Sequence, residues 1–242
     1  MTDGALSSRT ALMFEDYDDK PGEKGFALYD ETMLSEMVTK VHKANLQLAI
    51  HAIGDKAISN VVKAIEDNLD PEECKEMMHR IEHAEILRKE EVRRSKPYGI
   101  VFSMQPNFVY RWGLVGVNGM YEKRIGLDRT LLNNPFKWIL DENLLLIFGS
   151  DGMPLGPLYG IKGALFHSNP ELRLSLEEAI RCFTLYPAIV SKDEKDKGTL
   201  EKGKLADITI LDKNLDEIDL EKFCDVDVAY TIIGGRIIYK RE

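Results

Sequence analysis

The stretch LQLAIHAIGD, residues 46–55, decides the fold of this chain. Residues 46–50 are apolar apart from Gln47, which is typical of a strand that is buried on both faces. The run stops at His51, and Gly54 then opens a helix whose apolar residues recur at helical spacing. This order predicts one strand–helix unit of an α/β fold, with His51 at the carboxyl end of its strand.

Two later segments have the same design. HRIEH, residues 79–83, ends on His83, and LLLIFGSD, residues 144–151, ends on Asp151. The carboxyl ends of parallel strands lie at one end of a sheet, where α/β barrels keep their chemistry. We therefore expect His51, His83 and Asp151 to lie together.

Helices alternate with these strands along most of the chain. Helices are predicted at residues 31–45, 55–68, 87–95, 134–142, 159–167 and 175–185, with a short one after Asp70-Pro71, and strands at 46–50, 79–84, 99–104 and 144–148. Residues 1–27 and 107–130 are predicted to be loops. Strands that alternate with helices indicate a parallel sheet with helices outside it.

The pattern changes to all-β after a charged connector at residues 192–197. Strands are predicted at 206–211, 226–233 and 236–239, the last two forming a hairpin around Gly234-Gly235. We therefore predict a large α/β domain over residues 1–190 and a small β-domain segment over residues 191–242.

Composition narrows the possible partners and the compartment. A net charge of −9 argues against a nucleic-acid backbone as partner. No apolar run approaches the ~18 residues of a membrane span, and we expect no secretory signal. The three cysteines, Cys74, Cys182 and Cys224, form no CxxC pair, so neither a disulfide framework nor a thiolate zinc site is indicated. We expect a reducing, cytoplasmic location.

Two histidines and a carboxylate make a chemically sensible ligand set. Zinc and similar ions accept neutral imidazole and carboxylate, and a catalytic site leaves one position open for water. Such an ion lowers the pKa of water towards ~7. Spacing alone leaves an alternative open, in which His51 and His83 are buried, hydrogen-bonded histidines and Asp151 is a helix cap.

The other polar candidates have simpler interpretations. We expect Asp55 to be a helix N-terminal residue and His167 to lie on a helix surface, and no motif supports His42 or His79 as ligands. A group of side chains could line a substrate pocket: Arg9, Gln105, Arg111, Trp112 and Arg124.

Several motifs, taken in order, resemble the amidohydrolase-3 branch of the amidohydrolase superfamily. They are DGALSSRTAL (3–12), HAIGD (51–55), RIEHAE (80–85), GSDGMP (149–154), GTLEKGKLADITILD (198–212) and IIGGRIIY (232–239). The resemblance covers essentially the whole chain. It implies a metal-dependent (β/α)8 barrel hydrolase acting on C–N bonds of amides, formamides or cyclic amides.

The same resemblance implies roles for three residues. His51 matches the metal ligand on the fifth barrel strand, and His83 matches the ligand on the sixth. Asp151 matches the aspartate of the eighth strand, which binds metal and also carries the catalytic proton between the attacking water and the leaving group. The implied cofactor is a divalent metal, zinc first, and the implied substrate is a small amide-type molecule.

The chain departs from the family pattern at its beginning. It has no His-x-His pair, which the family places on the first strand, and it offers four strand–helix units where a barrel needs eight. The resemblance therefore implies the C-terminal half of a (β/α)8 TIM barrel, strands 5–8, with a partial β-sandwich.

A half barrel leaves apolar strand edges open, which invites association. Three explanations stay open: a fragment of a longer product, assembly with a second polypeptide that carries the first half, or a homo-oligomer. The function is then a metal-dependent hydrolase in truncated or split form, or a non-catalytic half barrel that assembles with itself or a partner. A weaker alternative is a half barrel in which Arg111 and Trp112 hold an anionic ligand.

Overall fold

A computed structural model describes residues 1–116, 119–152 and 155–242. Met153 and Pro154 of the GSDGMP motif lie outside the described residues, as do the side chains of Leu220, Glu221 and Cys224.

A four-stranded parallel sheet forms the centre of the fold, as the sequence predicts. Its strands are β1 (Ala49–Ala52), β2 (Arg80–His83), β3 (Val101–Met104) and β4 (Leu146–Phe148), in that spatial order. The strands begin later than predicted, so β1 contains His51 instead of stopping before it. The α/β class with a parallel sheet is confirmed, while a half barrel stays a proposal.

Helices connect and cover these strands. They are α1 (Glu31–Lys43), α2 (Asp55–Asn68), α3 (Pro71–Met77), α4 (Lys89–Ser95), α5 (Pro106–Phe108), α6 (Met120–Leu131), α7 (Phe136–Asp141), α8 (Pro157–Leu165), α9 (Leu176–Phe183) and α10 (Leu185–Val190). Short 3-10 helices lie at Lys96–Tyr98, Pro170–Leu172, Leu215–Glu217 and Leu220–Asp225, and a π-helix at Val109–Gly113. None of the described helices is both long and apolar enough to cross a membrane.

The sheet is apolar on one face, whereas the other face carries both polar and apolar side chains. Ile50, Ile81, Phe102 and Leu146 are register partners, and three of them are fully buried against the helices. The next row consists of His51, Glu82, Ser103 and Ile147. Because successive residues of a strand point to opposite faces, this second row lies on the face away from the helices.

The predicted loop at residues 107–130 is wrong in part, because it contains the rest of α5, the π-helix and α6. Gly126 interrupts α6 with φ +75°, which breaks the helical periodicity that a sequence pattern would show. The inward side chains of α6, Tyr121 and Ile125, are 2% and 1% exposed. The segment therefore packs as core.

The N-terminal segment has the predicted loop character but is firmly packed. Leu6, Ala11, Met13 and Tyr17 form a second buried cluster with residues of α6 and the loop after β1. The N–H of Thr2 donates to the carbonyl of His51 (2.9 Å), on the side of β1 that faces away from β2. This segment thus covers the end of one outer strand.

A three-stranded antiparallel sheet follows the last helix. Its strands are β5 (Ile208–Leu211), β6 (Val228–Ile233) and β7 (Arg236–Lys240), and β6 and β7 form the predicted hairpin. Phe223, just before β6, is 1% exposed and belongs to the main core. Treating residues 191–242 as a domain of their own stays a prediction.

Gly54 supplies a sharp test of how the N-terminal segment packs. A Cβ at Gly54 would lie 2.0 Å from the carbonyl oxygen of Leu12, which is backbone and cannot rotate away. We expect Gly54→Ala to lower the free energy of unfolding by about 1–3 kcal/mol, measured by urea denaturation. Gly149→Ala is the matched control, because nothing lies within 4 Å of its Cβ, and should change stability by less than about 0.5 kcal/mol. Equal effects of the two substitutions would contradict this packing.

Candidate metal centre

The three predicted ligands line one cleft at the carboxyl end of the parallel sheet. The cleft has a volume of about 290 Å³, and His51, His83 and Asp151 are among its lining residues. Ala5, Leu6 and Ser7 of the N-terminal segment form one wall, and Met120 and Tyr121 of α6 contribute to another. The structure therefore brings together the residues singled out from the sequence.

The two histidine rings are in contact and are suited to bind a cation. Their centroids are 4.6 Å apart in an edge-to-face arrangement. The Nδ1 atoms of both rings are buried and have no hydrogen-bond partner among the residues that the structure describes. Burial, followed by the nearby His51, lowers the pKa of His83, which favours the neutral imidazole that metal ions bind.

An unusual backbone conformation brings His83 to this side of the sheet. His51 is the register partner of Glu82, so an ordinary strand would place His83 on the opposite face. His83 and Ala84 instead have φ values of +73° and +48°, and Asp151 has +49°. Such left-handed residues cost free energy and concentrate at functional sites. Two of the three predicted ligands thus have strained backbone.

The candidate ligand atoms of His51, His83 and Asp151 do not all lie within 4.8 Å of one another. Among the described residues, a different group, His42, Cys74 and His79, has three ligand atoms within 4.8 Å of one another. It lies near the start of β2, whereas the cleft lies at the strand's carboxyl end.

Hydrogen bonds in that second group favour a structural role. The N–H of Leu48 donates to Nδ1 of His79 (3.1 Å), so the proton of the neutral ring is on Nε2. Nε2 of His79 lies 2.9 Å from Nδ1 of His42, whose Nε2 lies 2.9 Å from the Glu73 carboxylate. A metal ion on Nε2 of His79 would need the other tautomer. Burial also raises the pKa of the Cys74 thiol to about 11, which disfavours the thiolate.

A buried carboxyl–phenol pair at the cleft was missed by the sequence interpretation. The Tyr121 hydroxyl donates to the Glu85 carboxylate, and both residues line the cleft. Burial raises the pKa of Glu85 to about 7 and raises that of Tyr121 as well. The RIEHAE motif contains Glu85, but its partner lies on α6, in a segment predicted to be loop.

The other candidates have varied positions. Trp112 lines the cleft, as expected, and Gln105 is buried beside β3. Arg9 forms a two-pronged ion pair with Asp19, with both distances 2.8 Å, and Arg124 also binds Asp19. These contacts occupy both guanidinium groups, while Arg111 is exposed.

Two neighbouring predictions had opposite outcomes. Asp55 starts α2 as expected, and its Oδ1 accepts hydrogen bonds from the N–H groups of Phe14 (2.9 Å) and Lys56 (2.8 Å). The expectation of a surface position for His167 is wrong, because it is fully buried. Its Nε2 bonds to the carbonyl of Asn133 (2.7 Å), and its Nδ1 accepts from the N–H of Asn169 (3.0 Å).

Comparison with known proteins gives consistent matches. A sequence model described as the amidohydrolase family matches residues 1–239. The Bacillus subtilis protein YtcJ, whose name calls it an amidohydrolase, is 30% identical over 255 residues, with 99% of this chain and 46% of that protein covered. An N-substituted formamide deformylase from Arthrobacter pascens is 25% identical over 227 residues, with 90% and 41% covered.

A solved structure agrees with these sequences. An uncharacterized metal-dependent hydrolase from Pyrococcus furiosus is 31% identical, with a TM-score of 0.71 over 84% of this chain and 41% of that one. The chain thus spans less than half the length of these relatives.

Because His79 is buried, we expect the free energy of unfolding to depend on pH. Burial, followed by the charge of His42, lowers its pKa from 6.5 to about 4. Between these pH values the unfolded chain binds a proton at His79 that the folded chain does not, so stability falls as the pH decreases through this window. The loss should be about 3 kcal/mol at most.

Urea denaturation at several pH values measures this loss, and His79→Gln should make the pH dependence shallower. An NMR titration of the five imidazoles gives a direct check. If His79 takes up its proton near pH 6.5, the proposed arrangement of His42, His79 and Leu48 is wrong.

Proposed function

Because this chain belongs to the amidohydrolase family, we propose that it carries the metal-binding half of a hydrolase that cleaves C–N bonds. The proposed ligands are His51, His83 and Asp151, and Asp151 is also the proposed catalytic proton carrier. The observation that carries the proposal is the meeting of these three side chains in one cleft at the carboxyl end of a parallel sheet.

The donor set fits a divalent ion. Two imidazoles and a carboxylate suit zinc, and burial favours the neutral form of His83. Each ring has its Nδ1 on the buried side, which leaves Nε2 as the nitrogen that can face the cleft. His83 and Asp151 both have left-handed backbone, and strained residues of this kind concentrate at functional sites, which also supports the proposal.

A bound zinc ion would lower the pKa of water towards ~7 and polarise the substrate carbonyl. The protein would supply the remaining functions. The exposed Asp151 carboxylate at the rim of the cleft would take the proton from the attacking water and deliver it to the leaving nitrogen. Phe108, Trp112 and Met120 would pack against an apolar substituent of the substrate and keep bulk water away.

The substrate class is proposed as small amides, formamides or cyclic amides. One relative is named for removing the formyl group from N-substituted formamides, which is hydrolysis of a C–N bond. The apolar wall beside the proposed ligands favours a substituent with aromatic or aliphatic character.

We propose that the active form needs a second set of strands. The outer strands of the parallel sheet are β1 and β4, and the row of His51, Glu82, Ser103 and Ile147 lies on the face away from the helices. A second copy of this chain, or a polypeptide that corresponds to the rest of the longer relatives, would complete a (β/α)8 barrel. We also propose that the protein acts in the cytoplasm, a reducing compartment in which the free thiols of Cys74 and Cys182 stay reduced.

The alternative is a non-catalytic half barrel that assembles with itself or a partner. One observation favours it. Among the described residues, the ligand atoms of His42, Cys74 and His79 lie within 4.8 Å of one another, whereas those of His51, His83 and Asp151 do not. A fold that retains the cleft without binding metal would have this geometry.

Zinc titration of the chain distinguishes the two functions. We expect His51→Ala and His83→Ala each to weaken zinc binding at least about 10-fold, because each removes a direct ligand. His42→Ala is the matched control, since it removes an imidazole from the second histidine group and should leave the affinity unchanged. Isothermal calorimetry measures the affinities, and formate release from an N-substituted formamide reports activity.

Each result of this titration has a defined meaning. Loss of zinc binding in His42→Ala alone would place the ion in the second group and contradict the ligand assignment. Absence of zinc binding by the unaltered chain would favour the non-catalytic alternative.

Association through the parallel sheet is tested by light scattering. We expect a mass above the 27.5 kDa of one chain, because open strand edges and a sheet face that is only partly buried at His51, Glu82 and Ile147 favour association. Ile147→Lys places a charge on that face and should lower the mass to that of one chain. Ile210→Lys, at an exposed position of the antiparallel sheet, is the control and should leave the mass unchanged. The reverse result would assign the contact to the other sheet.

A further inference from the structure

We propose that the buried carboxylate of Asp3 fixes the tautomer of His51. By holding the imidazole proton on Nδ1, it leaves the Nε2 lone pair free to bind a cation in the cleft. Asp3 is thus a positioning residue that acts through His51. The inference depends on the proposed function only for what Nε2 binds, because the tautomer itself is a property of the protein without metal.

Asp3 is held by an unusually complete set of donors. Its side chain is fully buried, and Oδ2 accepts hydrogen bonds from the N–H groups of Leu12 (3.0 Å) and Gly54 (2.9 Å). Oδ1 accepts from the N–H of Ile53 (3.1 Å). Both oxygens therefore act as acceptors, and three backbone donors fix the orientation of the carboxylate.

The same Oδ1 lies 3.3 Å from Nδ1 of His51. That nitrogen is buried from solvent and has no hydrogen-bond partner among the described residues. Part of the proposal is that a hydrogen bond joins it to the facing Asp3 oxygen. Because the facing oxygen is an acceptor, the bond requires a proton on Nδ1.

A carboxylate that receives the far N–H of an imidazole is the usual support for a metal-binding histidine. It selects the ring nitrogen that carries the lone pair and fixes the ring's orientation. Here the lone pair would be on Nε2 of His51, the nitrogen on the cleft side. The sequence places Asp3 at the start of the DGALSSRTAL segment, 48 residues before the histidine that it contacts.

Asp3 also joins the N-terminal segment to the loop after β1, so a simple deletion would confound two roles. The substitution Asp3→Asn retains two of the three backbone hydrogen bonds and gives up only the one from the Ile53 N–H. Its single carbonyl oxygen best replaces Oδ2, which accepts two backbone N–H groups. The amide NH2 would then face Nδ1 of His51 and donate to it, which moves the ring proton to Nε2.

The readout is the nitrogen-15 NMR spectrum of the imidazoles at about pH 8, where an ordinary histidine is neutral. In the unaltered, metal-free chain we expect His51 Nδ1 to have a pyrrole-type shift and Nε2 a pyridine-type shift. In Asp3→Asn the two assignments should exchange. With five histidines in the chain, His51→Gln identifies the signals.

Asp55→Asn is the matched control. Asp55 also accepts hydrogen bonds from two backbone N–H groups, those of Phe14 and Lys56. Neither of these two hydrogen bonds involves an imidazole. Asp55→Asn should lower stability while leaving the His51 shifts unchanged. A pyridine-type Nδ1 in the unaltered chain, or unchanged His51 shifts in a folded Asp3→Asn, would overturn the proposal.

Zinc titration of the same variants tests the other claim separately. If the proposed function is correct, Asp3→Asn should weaken zinc binding by about 10–100-fold, and Asp55→Asn should not. If the unaltered chain binds no zinc but the shifts exchange as expected, the proposed function fails and the role of Asp3 stands.

Discussion

The buried Asp3 carboxylate is the contact on which the cleft depends. A charged group without partners would be costly to bury, and here three backbone N–H groups from two segments offset that cost. The contact fixes residues 1–12 against the end of β1 and the start of α2. The wall formed by Ala5, Leu6 and Ser7 is a direct result, so the shape of the cleft follows from an interaction outside it.

The parallel sheet imposes the second constraint. Parallel sheets are normally covered on both faces, and the helices of this chain cover the row of Ile50, Ile81, Phe102 and Leu146. The opposite row contains His51 and Glu82, and Arg80 on the same face pairs with Glu82 (2.5 Å). This face of mixed polarity suits the interior of the proposed barrel, and relatives of this chain are more than twice as long.

Regular elements with a strong period could be predicted from the sequence. The bounds of α2, Asp55–Asn68, agree with the prediction because its inward residues recur at helical spacing and Gly54 marks its start. By contrast, α6 was missed because Gly126 breaks its period. The parallel sheet could be predicted from the alternation of strands and helices, and the shared position of His51, His83 and Asp151 from their places at predicted strand ends.

The details of the site that could not be predicted from the sequence depend on contacts that side-chain patterns do not encode. The left-handed backbone at His83 reverses the face expected from alternation, and no residue type in HRIEH signals it. Asp3 binds backbone N–H groups, which every residue type except proline offers, so the sequence does not single them out. Tyr121 meets Glu85 across 36 residues, a pairing visible only after the chain has folded. The distinction between the proposed metal ligands and the residues that support them therefore needed the three-dimensional structure.

The ion pairs of Asp19 have a consequence for how the chain folds during synthesis. Asp19 binds Arg9 ten residues away and Arg124 across 105 residues, which ties the N-terminal segment to α6. During synthesis, residues 1–27 leave the ribosome before α6 has been made. One wall of the cleft is therefore present before the residues that form the other wall. Long-range contacts of this kind slow folding and expose intermediates. Both walls of the cleft can therefore be in place only after α6 has been synthesised.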